Sequence, residues 1–181
     1  IPEGVTEIGS GAFSGCSKLH QVVLPISIEE IEDSAFENCS NLKSISLPMA
    51  LKTIGNDALK GTGLRTIEIP KSVFWLGDGL LADCQPMEHV TIPENIGRIP
   101  DRMFEGCTSL KKVELHEKLG AIGERAFFGC SSLDFIVIPD SVKQIGQDAF
   151  TNTDKQFIIQ CSFGSYAEEY ARKNKFKYQL V

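Results

Sequence analysis

Apolar residues recur along this chain with a period of about 23 positions, far longer than the period of a helix or of a strand. Pro2, Pro25, Pro48, Pro70, Pro93 and Pro139 mark the period, and His116 fills the one place where proline is missing. Three positions after this mark come Val5, Ile28, Leu51, Val73, Ile96, Leu119 and Val142. Six positions after it come Ile8, Ile31, Ile54, Leu76, Ile99, Ile122 and Ile145. An aromatic column follows, with Phe13, Phe36, Leu59, Leu81, Phe104, Phe127 and Phe150. The units close on three more apolar columns, seen for example at Leu133, Ile136 and Ile138. Seven units result, at residues 1–24, 25–47, 48–69, 70–92, 93–115, 116–138 and 139–161, and the third is one residue short.

Each unit predicts its own local structure. The closing apolar residues alternate with polar ones, as in a strand with one buried face. Proline has no N–H to donate to a ladder and ends that strand. Val-x-x-Ile-Gly reads as a second, short extended or turn segment, with glycine supplying the bend. Ala-Phe reads as a short helical or 3₁₀ turn that returns the chain. One unit cannot bury its apolar face alone, so the units must stack with their strands parallel, ~4.8 Å apart. A right-handed α/β solenoid is expected, with its parallel sheet on the concave side and its turns on the convex side. Residues 1–181 are read as a single domain, with a cap at 162–181.

The cap is legible as a helix followed by a strand. Ser165 and Glu168 form a capping-box pair, and Ala167, Tyr170 and Ala171 share one helical face. Phe176, Tyr178 and Leu180 alternate with polar residues. The last unit is degraded, with Thr153 and Gln156 in the cysteine and leucine columns. No such cap is readable at the first residues, which favours further sequence upstream, because a bare edge invites association.

Within each predicted strand, the residues between core columns face outward. One row is Gln21, Ser44, Thr66, His89, Lys112 and Phe135. The other is Val23, Ser46, Glu68, Thr91, Glu114 and Val137. These rows vary in chemistry while the core columns do not, and they form the candidate partner-binding face. Phe135 and Val137 make an apolar patch that Ile158 extends. At the bend after the proline, polar or small residues give way to Phe74 and Trp75 in the fourth unit, a candidate aromatic patch. That unit is irregular, with Leu80 in an alanine column, so two placements of Trp75 stand open: outward, or tucked in. Phe128 replaces a polar or small residue on the convex side.

Six cysteines invite a search for disulfides or a metal site. Cys16, Cys39, Cys84, Cys107 and Cys130 occupy one column, and Thr62 and Thr153 fill its other two places. Side chains in one column point the same way, which is not the facing geometry of a disulfide. They read as small buried apolar residues, and Cys161 reads the same way in another column. No C-x-x-C pair is present, and neither a metal nor a cofactor is expected.

The net charge of −6 and pI near 5.1 argue against a nucleic-acid partner. No apolar run reaches the ~18 residues of a membrane span. No phosphate loop, nucleophile elbow or zinc-protease helix is present. His20 lies four residues from Cys16, but Cys16 belongs to the core column, so this pair reads as structural rather than catalytic.

The strings Ile122-Gly123, Ala126-Phe127, Gly129-Cys130, Leu133, Ile136 and Ile138-Pro139 resemble BspA-like, or treponemal-type, leucine-rich repeats. The resemblance covers all seven units and extends to the tail Gly164-Ser165-Tyr166-Ala167. It implies a secreted or cell-surface protein of bacterial type that binds a protein or glycan, with no catalytic or metal site. A structural spacer, or a docking domain of a larger protein, is the alternative the residues leave open.

Overall fold

A computed structural model describes all residues, 1–181, as fifteen strands and one helix. The strands, numbered β1 to β15 in chain order, fall into two sets. The long set is β2 (Gln21–Val23), β4 (Ser44–Ser46), β6 (Thr66–Glu68), β8 (His89–Thr91), β10 (Lys112–Glu114), β12 (Phe135–Val137), β14 (Ile158–Cys161) and β15 (Lys177–Leu180). The short set is β1 (Glu7–Ile8), β3 (Glu30–Ile31), β5 (Thr53–Ile54), β7 (Trp75–Leu76), β9 (Arg98–Ile99), β11 (Ala121–Ile122) and β13 (Gln144–Ile145). Every pairing is parallel, and each joins equivalent residues of successive coils, such as Val90 with Val113 and Ile31 with Ile54. The long ladder breaks between β10 and β12 and the short one between β7 and β9, and the long ladder also breaks between β4 and β6. That break lies beside the short third unit, where Gly63 alone spans the step from Thr62 to Leu64. The Ala-Phe segments are hydrogen-bonded turns, none long enough to make a helix.

The core is one continuous cluster of 48 buried residues along the solenoid. The aromatic column stacks face to face at both ends. Phe13 and Phe36 lie 5.1 Å apart, and Phe104, Phe127 and Phe150 follow one another at 5.2 and 5.3 Å. Between these stacks the column holds Leu59 and Leu81. The neighbouring alanine column there carries Leu80 and Met103, both fully buried, which restore the missing volume. Burying one such large apolar side chain stabilises by roughly 1.5–3 kcal/mol, and the repeat multiplies that gain.

Polar groups also stack. Asp33 Oδ1 accepts the Asn56 N–H at 2.7 Å, and Asn56 Oδ1 accepts the Asp78 N–H at 2.8 Å. Asp78 Oδ1 accepts the Asp101 N–H at 3.0 Å, and Asp101 Oδ1 accepts the Glu124 N–H at 2.7 Å. Here the role of glycine differs from the expectation. Gly55, Gly77, Gly123 and Gly146 are absent from the left-handed region. A Cβ on Gly77 would fall within 2.6 Å of the Gly55 carbonyl oxygen, and one on Gly123 within 2.6 Å of the Asp101 nitrogen. Close approach of successive coils, not a bend, demands glycine in this column. The left-handed residues lie elsewhere, for example at Ser34 and Arg102 (φ 55° each) and, just before the cysteine column, at Asn38 and Asp83 (φ 59° and 58°).

All six cysteines are free. Cys39, Cys84, Cys107 and Cys130 are buried, and each thiol reaches a carbonyl of the preceding coil, as Cys107 Sγ does to Leu81 O at 3.0 Å. Thr62, in the same column, instead donates to Leu59 O within its own coil at 2.8 Å. Cys16 departs from the expected burial and is exposed. It lies in the first unit, and this column buries its thiols by stacking each on the unit before it. Burial drives the Cys84 thiol up to about 11 and the Cys130 thiol up to about 12.

The cap forms as α1 (Tyr166–Lys173) followed by β15, which pairs with β14. Ser165 Oγ accepts the Glu168 N–H, while the Glu168 carboxylate accepts the Gly164 N–H at 2.7 Å, one residue before the helix cap. Ala167 and Ala171 are buried, and Tyr170 packs edge-on against Phe150. Gln156 is exposed and Phe157 takes the core place, stacked on Phe150 at 5.3 Å.

Candidate binding surfaces

The long strands put the two variable rows side by side on one face. Gln21 pairs with Ser44, and Thr66 pairs with His89, which pairs with Lys112. In the second row Val23 pairs with Ser46, and Glu68 pairs with Thr91, which pairs with Glu114. Phe135 and Val137 pair with Ile158 and Gln160. Of these row residues from β2 to β12, all are exposed except His89, which is half-buried. Alternation produces this directly, because the middle residue of each strand points into the spine.

The rows are not uniform. Around β6 and β8 lies a depression of about 540 Å³ lined by Thr66, Glu68, His89, Thr91 and the side chain of Met49. His89 Nε2 lies 3.3 Å from the Thr91 hydroxyl. Beside it Lys112 bonds Glu114 at 2.7 Å, and this hydrogen bond and charge hold the Glu114 carboxyl below its usual range. Further along, Phe135 and Val137 are 42% and 47% exposed, and Ile158 beside them is half-buried.

Two exposed apolar residues on the edge of this face escaped the sequence reading. Ile26 and Met49 follow successive prolines and are 80% and 73% exposed. The signal was available: the position after the proline is charged at Glu3, Lys71, Glu94, Glu117 and Asp140, and apolar only in these two units.

A second surface lies along the short strands. Phe74 and Trp75 are both solvent-exposed, so the outward placement holds. The fourth unit fills its spine with Leu80 and Leu81, both fully buried. Trp75 stands in register with Thr53, Glu30 and Glu7. Phe128, half-buried on another part of the convex side, lies under the Arg125 guanidinium, 3.8 Å from its ring centre.

The histidines are engaged in local bonds. His20 Nδ1 donates to Lys18 O at 2.7 Å. His116, in the proline column, bridges coils through Nε2 to Ile96 O at 3.0 Å, and its Nδ1 accepts the Lys118 N–H. No group of three or more histidine, cysteine, aspartate or glutamate side chains is placed to hold a metal ion. No helix is long and apolar enough to cross a membrane.

The profile of the BspA type leucine rich repeat region matches residues 1–87 and 29–156, in six copies. Among solved structures, a leucine-rich repeat protein from Bacteroides ovatus is similar at 28% identity and a TM-score of 0.71. The match covers 97% of this chain and 55% of that one. A leucine rich cell surface protein from Faecalibacterium prausnitzii is similar at 26% identity and a TM-score of 0.65, covering 94% and 61%. The T. pallidum leucine rich repeat protein is similar at 26% identity and a TM-score of 0.72, covering 98% and 81%. This chain thus spans little more than half the length of the first two. No curated protein matches it.

Proposed function

This chain belongs to the BspA-type leucine-rich repeat family, and on that premise we propose that it is a non-catalytic interaction module of a bacterial surface or secreted protein. Its ligand is a protein or a glycan, held on the concave face of the long strands, and the whole array 1–181 acts as one binding unit. One observation carries the reading. The two outward rows run in register within β2–β4, β6–β8–β10 and β12–β14, exposed except at His89 in the stretch from β2 to β12, and change chemistry from coil to coil over a spine that stays apolar. Solenoids recognise partners through extended surfaces of this kind. The depression around Thr66, Glu68, His89 and Thr91 joins polar groups to the exposed apolar Met49, a mixture suited to a specific contact. The similarity to a leucine rich cell surface protein supports the location.

The test is a binding panel of extracellular-matrix proteins and surface glycans. A variant carrying Thr66→Lys, Glu68→Lys and Thr91→Glu is expected to lose binding while its circular dichroism spectrum and melting temperature stay unchanged. If a folded variant of this kind binds as the parent does, the concave-face reading fails. If the parent binds nothing across the panel, the spacer or docking-domain role takes its place.

A further inference from the structure

The short-strand face carries a charge arrangement that the fold itself does not use. Glu7 and Glu30 are neighbours in register on β1 and β3. Like charges facing each other across a ladder destabilise it. Neither carboxylate has a cationic partner, and neither has Glu32, whose Oε2 accepts only the Ser10 N–H. Lys52, next to Thr53, bonds Glu29 at 2.5 Å, and Arg98 bonds Asp101.

Glu30 and Glu32, but not Glu7, line a depression of about 340 Å³ with Ser10, Asp33 and Thr53, and Trp75 is its only apolar wall. Trp75 is 60% exposed and Phe74 beside it 62%. The Thr53 hydroxyl in the same depression is shielded from solvent and has no hydrogen-bond partner. On its other side Trp75 walls a second depression of about 350 Å³ with Phe74 and Ile96. An aromatic step therefore separates a carboxylate hollow from a mixed one, which Asn56, Asp78 and Arg98 also line.

We propose that this face docks a basic segment of a partner protein, with a lysine or arginine side chain lodged between Trp75 and the Glu30–Glu32 carboxylates. Three features select that chemistry. Indole is the side chain that attracts a cation most strongly through its ring face. A cation in the hollow relieves the Glu7–Glu30 repulsion, which a neutral sugar stacked on the indole does not do. The stem of such a side chain is apolar and suits the exposed aromatics. This surface is distinct from the concave face, so it stands or falls independently of the ligand bound there.

The chain has a single tryptophan, so its emission reports on this site alone. The probe is hexalysine, titrated into the full chain at low ionic strength. Saturable change in Trp75 emission is expected, weakening as salt rises. A variant with Glu30→Gln and Glu32→Gln is expected to lose at least about tenfold in affinity, as loss of complementary charge predicts. A charge-matched control, Glu68→Gln with Glu114→Gln on the concave face, is expected to bind hexalysine as the parent does. Trp75→Leu, followed by calorimetry, is expected to weaken binding as well. Equal losses in the control and the Glu30–Glu32 variant would reduce the effect to the overall charge of −6 and overturn the proposal. A silent Trp75 emission, or an equal response to hexaglutamate or to a neutral oligosaccharide, would overturn it too.

Discussion

The two sheet faces of this solenoid share one spine but treat charge differently. On the long-strand face Lys112 neutralises Glu114, and Thr91 stands between Glu68 and Glu114 along the ladder. On the short-strand face Glu7 and Glu30 are adjacent and unneutralised, and the aromatic residues near them are exposed. Both faces hang from the same buried columns, so stability does not require the second arrangement. A surface feature that costs the fold something and gains it nothing is where a partner is to be sought.

Substitutions can break or sharpen this comparison. The largest effect falls on the common support. Phe127, fully buried and stacked on both Phe104 and Phe150, holds up the two faces alike. Phe127→Ala is expected to cost about 3–5 kcal/mol in denaturant unfolding and to weaken both binding surfaces together. Loss at one face only would show that the faces are not supported in common.

Alkaline pH acts on the same spine. Burial raises the Cys84 and Cys130 thiols to about 11 and about 12 from an ordinary 9.0. Above pH 9 the unfolded chain loses these protons before the folded one does, so it binds fewer protons and stability falls with rising pH. The contribution is fully present below pH 9 and is lost progressively up to about pH 12. Urea midpoints between pH 8 and 11 are expected to decline, and replacing both thiols with alanine is expected to flatten that decline. At neutral pH a thiol reagent should label Cys16 at once and the buried column only on unfolding.

The next effect separates the faces. Asp101 Oδ1 accepts the Glu124 N–H on the short-strand side. Asp101→Ala is expected to cost about 0.5–1.5 kcal/mol, because the exposed backbone donor exchanges its carboxylate acceptor for water. Hydrogen exchange should speed up at Glu124 and stay unchanged at Val113 on the long ladder. The smallest effects carry the comparison itself. Glu30→Gln is expected to stabilise by up to about 1 kcal/mol at low salt, through relief of the facing charges, and less as salt rises. Glu68→Gln on the other face is expected to stay within about 0.5 kcal/mol of zero. Identical responses of the two variants would remove the distinction between the faces.

Which parts of this were readable beforehand depends on where the deciding contact lies. The columns at Ile28, Phe36 and Leu42 were plain because burial leaves the same apolar imprint in every unit. The cap was plain because Ser165 and Glu168 act within one helical turn. The glycine of Ile-Gly was misread as a bend because its real constraint, the backbone of the coil before it, lies 22 or 23 residues away. Cys16 was misread because its column predicts burial only where a preceding coil supplies the cover. The acidic hollow went unnoticed because Ser10, Glu30, Thr53 and Trp75 come from four different units.

By itself the sequence determined the repeat, its spine, the inward and outward alternation of the long strands and the form of the cap. These follow from periodicity and from bonds within a unit. Only the tertiary structure decided which way Trp75 faces, which cysteine is uncovered, and which carboxylates meet without a cation. Those outcomes depend on neighbours one coil away, and stacking, rather than any local preference, brings them together.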